Sequence, residues 1–253
     1  MKTITLFNFP FIADANIENL VADILMNAAQ KKQLIVTPNA YILQLLAKPE
    51  HKPLQTYAQN ASYVLPDGIP IVWLSKLKNK RNSLSNRLTG SDLFPALWKA
   101  IKTQGINATF IVADENIAKA FTAEYPGKCN AVIPDFFAET NAAYIEQIAK
   151  ETIDKIEAIG SRFLFIGISD PKQSLISKKI DELIDLGNKD IYFSTALLGA
   201  SFEFYLGKSK RAPQWMQQCG LEWLYRFALE PKRLWRRYTI DNFKFLMLAL
   251  KEL

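Results

Sequence analysis

Residues 162–173 read Arg162-Phe163-Leu164-Phe165-Ile166-Gly167-Ile168-Ser169-Asp170-Pro171-Lys172-Gln173. Phe163–Ile166 is an unbroken apolar run bounded by a glycine, which describes a strand covered on both sides. Helical spacing begins at Lys172 and continues to Leu186. Working outward, the same unit recurs, with further apolar runs at 34–36 (LIV) and 110–112 (FIV). Strands are predicted at Thr3–Phe7, Gln33–Val36, Tyr63–Leu65, Thr109–Val112, Ala131–Ile133, Arg162–Ile166 and Ile191–Ser194. Helices are predicted at Ile17–Ala29, Ala40–Ala47, Ile69–Leu77, Asp92–Thr103, Glu115–Glu124, Ala142–Ile159 and Lys172–Leu186.

Strands and helices alternating through short links predict an α/β fold. The expected form is a Rossmann-like, mostly parallel sheet with helices on both faces. Such sheets bind ligands beyond the carboxyl ends of their strands, so candidate residues are those that follow each strand. Thr37-Pro38-Asn39 follows Gln33–Val36. Pro38 biases Thr37 away from helix and Asn39 suits a helix cap, while the pair also offers a hydroxyl and an amide to a sugar or nucleotide. Pro66-Asp67-Gly68 follows Tyr63–Leu65. Asp67 there is either a cap or a general base, beside a glycine that lets backbone approach a ligand. Arg87 precedes Gly90 and Ser91, which suit either a phosphate at a helix start or a simple cap by Ser91. Lys172 and Gln173 open a helix after Gly167, a plausible anion or nucleotide site. None of these stretches is a GxGxxG or P-loop, which disfavours NAD-type and P-loop chemistry.

With 253 residues, 49% of them hydrophobic and 22% charged, the chain has a globular composition and length enough for a full core. Cys129 and Cys219 lie ninety residues apart, which excludes a disulfide scaffold and a CxxC motif; both are expected to be packing residues. The single histidine, His51, excludes a His-rich zinc site. No stretch reaches 18 apolar residues and no cleavable signal is visible, so a cytoplasmic chain without a membrane span, soluble or attached to a membrane surface, is expected.

Charge is unevenly placed. Ten basic and four acidic residues give 205–253 a net +6, the whole of the chain's excess, and 1–204 is neutral. Seven aromatics fall within 221–253. A basic, aromatic tail is either a helical pair that packs on the body or a surface for a phosphate-bearing partner: nucleic acid, anionic lipid or a diphosphate. The division expected is an α/β catalytic domain over 1–204 and a basic helical appendage over 205–253. Lys76–Arg87, KLKNKRNSLSNR, reads as an exposed basic loop. Ile240, Phe243, Met247 and Leu250 recur at helical spacing, one apolar face for packing on the body or entering a lipid interface.

An ordered set of motifs runs through most of the chain: TPN at 37–39, LPDG at 65–68, RLTGSDL at 87–93, GISDPKQ at 167–173, RAP at 211–213 and GLEWLYRFALEPKRLWRR at 220–237. Together they resemble the WecG/TagA/CpsF family of bacterial glycosyltransferases. The resemblance implies an inverting, metal-independent hexosyltransferase with no cofactor. It would move an N-acetylmannosamine-type sugar from a UDP-sugar donor to a polyprenyl-diphosphate-linked acceptor, in teichoic acid, capsule or exopolysaccharide synthesis. It implies a peripheral place on an anionic membrane surface, the inner face of the cell membrane. Carried over residue by residue, Asp67 is the base and Thr37 and Asn39 line the sugar site. Arg87 and Gln173 contact donor or acceptor, and Arg226, Arg233 and Arg236 complete the site from the appendage; Gly90 and Lys172, read from their places at helix starts, join them as expected substrate-binding residues. Three elements depart from the family pattern: Ser174 stands where PKQ continues with Glu, Ala200–Glu203 where Gly-x-Phe-Asp is usual, and Asp135-Phe136-Phe137 where Gly-Tyr-Phe is usual. These leave a different hexosamine, a uronic acid or glucose open as donor. A catalytically silent member is the first alternative. A phosphate- or nucleic-acid-binding protein is the second, disfavoured because the body is neutral and no recognition motif is present.

Overall fold

A computed structural model describes residues 1–28, 30–188 and 191–253, with every side chain in them except those of residues 218, 233, 236, 237 and 238. Eight strands are described: β1 (Thr3–Leu6), β2 (Phe9–Ile12), β3 (Gln33–Val36), β4 (Tyr63–Val64), β5 (Ala108–Val112), β6 (Cys129–Val132), β7 (Phe163–Gly167) and β8 (Ser194–Leu197). They form one sheet in the order β1-β2-β4-β3-β8-β7-β5-β6. Among the described residues only β1 and β2 are antiparallel; every other pairing is parallel.

The body helices are α1 (Ile17–Ala28), α2 (Ala40–Leu46), α3 (Lys52–Gln59), α4 (Ile69–Lys78), α5 (Gly90–Thr103), α6 (Glu115–Glu124), α7 (Ala142–Ile159), α8 (Lys172–Leu186) and α9 (Ser201–Tyr205). Strand residues alternate between the two faces of the sheet. Leu164, Ile166, Val36 and Ile111 join a core with α2, α3, α4, α7 and α8. Phe163, Phe165, Phe110 and Ile35 join a second core with α1, α5, α6 and α9. That division explains the unbroken apolar runs: both faces need apolar residues. Phe94, Trp98, Phe110, Phe121, Phe165 and Phe202 form the aromatic centre of the second core, with the Phe110 and Phe121 rings stacked at 4.5 Å.

Three sequence expectations are corrected. The last strand is Ser194–Leu197 and not Ile191–Ser194, because β8 lies between β3 and β7 with all four residues buried. Ser194 and Thr195 hid that burial, whereas Tyr192 in the expected run is exposed. A second strand, Phe9–Ile12, follows Thr3–Leu6 through a two-residue turn at Phe7 and Asn8, both at positive φ. Such hairpin turns favour Asn and Gly. A Phe in the turn and a Pro in the strand masked it. Cys219 is exposed, so only Cys129 is a packing residue.

The appendage continues as α10 (Gln214–Gln218), α11 (Glu222–Leu229), α12 (Pro231–Arg236), a π-turn at Arg237–Asp241 and α13 (Asn242–Glu252). Phe245 and Ala249 of α13 are buried in the body's first core, and the Phe245 ring meets Phe7 at 5.9 Å. The Glu252 carboxylate accepts the Phe7 N–H at 2.9 Å and pairs with Lys78. The last helix is thus fastened to the β1–β2 turn and to α4.

A Cβ on Gly167 would lie 2.2 Å from two ring carbons of Phe202. Gly167→Ala is therefore expected to cost about 1–3 kcal/mol in urea unfolding, partly recovered by Phe202→Leu in the same chain. Burial pushes the Cys129 thiol up to about 11, and the Glu124 charge adds to it. The thiol stays neutral in the fold while an unfolded thiol ionises near 9. Its contribution to stability is present below that pH and is lost as the pH rises toward 11. Iodoacetamide at pH 8 is expected to label Cys219 and spare Cys129.

Candidate active site

The parallel register aligns the strand ends. Val36 stands opposite both Val64 and Leu197, Leu197 opposite Ile166, and Gly167 opposite Val112. The loops beyond them open into two adjoining cavities. The larger, about 520 Å³, is lined by Thr37, Asp67, Asp135–Phe137, Gly167–Asp170, Lys172, Gln173 and Leu198–Ser201 among others. The smaller, about 260 Å³, lies between the body and the appendage and is lined by Arg87, Arg211, Gln217, Trp223 and Phe245 among others. Asn39, Tyr41, Asp67, Ser91, Phe204 and Arg226 line both.

Of the expected site residues, all but Arg233 and Arg236 have described side chains. The Thr37 hydroxyl donates to the Leu197 carbonyl at 3.2 Å, bridging the ends of β3 and β8. Asn39 caps α2, its Oδ1 accepting the Ile42 N–H at 3.1 Å. Asp67 is half-buried at the junction of the cavities, and its backbone N–H donates to the Pro38 carbonyl at 3.3 Å. Gly68 then turns at φ +130°, a conformation that glycine adopts readily. Lys172 sits at the start of α8 with its ammonium 4.4 and 4.6 Å from the ring centres of Phe136 and Phe137.

Gln173 is buried and its amide is used at both ends. Its Nε2 donates to Asp170, and its Oε1 accepts the Gly199 N–H at 3.2 Å. The residue ties the loop after β7 to the loop after β8. Asp170 also accepts from the Ser174 hydroxyl. Burial raises the Asp170 pKa, against the hydrogen bonds from Ser174 and Gln173 and the charge of His51. A glutamate at 174 would bring a second carboxylate to an already buried one, so serine there suits this pocket. Nothing in the composition of the loop flagged Asp170; its cue was its place next to the expected Lys172 and Gln173.

Gly90 does not line either cavity. It begins α5, capped by Thr89 and not Ser91, and packs so closely that a Cβ would sit 2.8 Å from the Ser201 hydroxyl. Ser91 faces the cavities in its place. Arg87 reaches the appendage: its guanidinium donates to Glu222 at 2.8 Å and to Gln217 Oε1 at 2.6 Å. Arg211, missed as a site residue although it stands in the RAP motif, mirrors it. It donates to Asp92 at 2.8 Å and to the same Gln217 oxygen at 3.0 Å. Burial works to raise the Asp92 pKa, but hydrogen bonds from Thr89 and Arg211 outweigh it and hold the carboxyl below its usual range. Two arginines and two acids thus neutralise one another across the seam.

Arg226 differs. Its guanidinium carbon lies 5.3 Å from the Phe204 ring centre, and among the described residues it has no ion pair. The side chains of Arg233 and Arg236 lie outside the described ones. Both positions belong to α12, on which Leu234 lines the larger cavity. Among the described residues no helix is long and apolar enough to cross a membrane.

Arg87→Ala leaves half-buried Glu222 without its cation. It is expected to weaken attachment of the appendage by about 1.5–3 kcal/mol, read as faster proteolysis within 206–221. The exchange Arg87→Glu with Glu222→Arg should restore resistance. The Asp92–Arg211 tie is complete above the ordinary carboxyl value of 3.8 and is lost as the pH falls below it through the lowered folded value. Protease resistance of the seam should therefore hold at pH 5, and Asp92→Asn should abolish that pH dependence.

A sequence model of the glycosyl transferase WecG/TagA/CpsF family matches residues 4–253. The chain is similar to two curated proteins named N-acetylglucosaminyldiphosphoundecaprenol N-acetyl-β-D-mannosaminyltransferase. One, from Bacillus subtilis strain 168, is 28% identical over 258 residues, covering 100% of this chain and 93% of that protein. The other, from Bacillus spizizenii strain ATCC 23059 / NRRL B-14472 / W23, is 31% identical over 212 residues, covering 82% of this chain and 75% of that protein. With its ordered motifs now gathered around one pair of cavities at the strand ends, the protein belongs to the WecG/TagA/CpsF family and is a glycosyltransferase.

Proposed function

We propose that the protein transfers an N-acetylmannosamine-type sugar from a UDP donor, with inversion, to a polyprenyl-diphosphate-linked N-acetylglucosamine at a membrane surface. The observation that carries this reading is the place of Asp67, a carboxylate where two cavities meet. The names of the Bacillus relatives support both the sugar and the lipid-linked acceptor for those proteins. The larger cavity is of a size for a nucleotide sugar, and Phe136, 97% exposed beneath the Lys172 cation, offers a face for a base to stack on. The smaller cavity, under the appendage, takes the acceptor sugar and its diphosphate.

In this arrangement the Asp67 carboxylate removes the acceptor hydroxyl proton as that oxygen attacks the sugar's anomeric carbon. The bond from that carbon to the UDP oxygen breaks on the opposite face, and its electron pair leaves with the diphosphate. Arg226, at the junction and among the described residues without an ion pair, is placed to stabilise that charge. The resemblance adds Arg233 and Arg236 from α12 to the same role. Thr37 and Asn39 hold the β3 loop that frames the sugar. Residues 1–204 supply the sheet-end site and 205–253 close it.

Asp67→Asn keeps size and polarity and removes the proton acceptor. Turnover is expected to fall roughly 10²–10⁴-fold with UDP affinity largely kept. The assay is a UDP-sugar panel with a short-chain prenyl-diphosphate-N-acetylglucosamine. A variant retaining a third of wild-type turnover overturns the assignment. Activity is expected to survive excess EDTA; loss restored by Mg²⁺ or Mn²⁺ would make Asp67 and Asp92 candidate ligands.

A further inference from the structure

The polar stretch 79–86 after α4 lines neither cavity, and α4 itself, which carries the first lysines of the basic segment, has an unusual surface. Ile71, Val72 and Leu74 of α4 pack into the body's core, but Trp73 is 54% exposed and Leu77, one turn on, 74% exposed. Lys76, Lys80 and Arg81 beside them are exposed too. Two large apolar side chains at i and i+4, rimmed by cations, match an interface between apolar and anionic layers.

α4 is tied to the appendage at both ends. Gly220, between α10 and α11, lies so close that a Cβ there would sit 3.1 Å from Ile69 and 3.2 Å from Trp73. At the other end Lys78 pairs with Glu252 of α13. Ile69 and Pro70 of α4 also share the smaller cavity with Phe245 of α13. On α13 the face expected to be apolar remains exposed, with Phe243 64% and Leu250 58% accessible, while Phe245 and Ala249 do the packing.

We propose that α4 and the loop after it form a second lipid-binding element, on the body, which rests on an anionic phospholipid bilayer together with the appendage. The occupant follows from the mixed chemistry. Lys76, Lys80 and Arg81 complement acidic headgroups, and Trp73 and Leu77 suit the headgroup–acyl boundary. The element adjoins the smaller cavity through Ile69 and Pro70. Contact at both α4 and the appendage therefore holds the cavity's mouth at the level of the acceptor's diphosphate. This inference rests on the proposed membrane reading and extends it from the tail to the body.

The test uses the full chain carrying Cys219→Ser, since Cys129 is buried. A single cysteine is placed by Leu77→Cys or by Leu250→Cys and labelled with a polarity-sensitive fluorophore. With phosphatidylglycerol vesicles both probes are expected to shift to the blue and to be quenched by brominated acyl chains. Leu77→Ser is expected to lower vesicle partition about tenfold. Lys76→Gln, Lys80→Gln and Arg81→Gln together should reduce binding to phosphatidylglycerol but not to phosphatidylcholine. Turnover on a short-chain acceptor in solution should be unchanged, because none of these residues lines a cavity. If the probe at 250 shifts and the probe at 77 does not, the membrane reading stands and the role of α4 is overturned. If neither shifts, the membrane reading fails and the proposal with it. A shift at 77 without vesicles, accompanied by dimers in sedimentation, would assign the face to a second copy and overturn the proposal.

Discussion

The register of the parallel strands governs this protein. Val36, Val64, Ile166 and Leu197 end nearly level, so the loops they release converge on one edge of the sheet. Pairing fixes that level, since a slip by one residue would turn every strand side chain to the opposite face. With apolar cores on both faces, a slip would send side chains fitted to one core into the other and spoil the packing of both. Asp67, Gln173, Lys172 and Thr37 follow three different strands and owe their proximity to this constraint.

A second layer of constraint keeps the loops in position. Thr37 holds the β3 loop to β8, and Gln173 holds the β7 loop to the β8 loop. Asp170 anchors Gln173 and Ser174 from below, at the expense of a buried carboxyl. Phe202 fills the space that Gly167 leaves open, so the close of β7 and the start of α9 are one packing unit. These ties make the strand-end edge stiff, and a stiff edge is what a transfer reaction needs, since donor and acceptor must meet in line.

The appendage follows different physics. Its last helix is packed by Phe245, Ala249 and Glu252, whereas its seam over the site is polar: Arg87–Glu222, Arg211–Asp92 and the shared Gln217. The paired charges cancel, so the tail's +6 is not spent at the seam. Lys76, Lys80 and Arg81 of the net-neutral body are exposed as well. Charge asymmetry in the sequence thus divides into structural pairs and a surplus available to anionic ligands and surfaces.

The sequence by itself determined the α/β class and six of the eight strands, because apolar runs covered on both faces and helices of 3.6-residue period are local patterns. Glu115–Glu124, Ala142–Ile159 and Lys172–Leu186 are helices with the bounds that pattern gives. It also placed the motifs at strand ends, where α/β folds bind ligands. Tertiary structure alone decided the rest. Strand β8 is central because Ser194 and Thr195 are buried by neighbours far away in the chain, which no local hydropathy records. Gln173 is a brace whose amide is occupied, Gly90 a packing contact and Arg87 a clamp, because side-chain partners come from other segments. On α13 the apolar spacing was legible, but two apolar faces compete there, and the body covers the one bearing Phe245 because Phe7 and α2 lie beneath it.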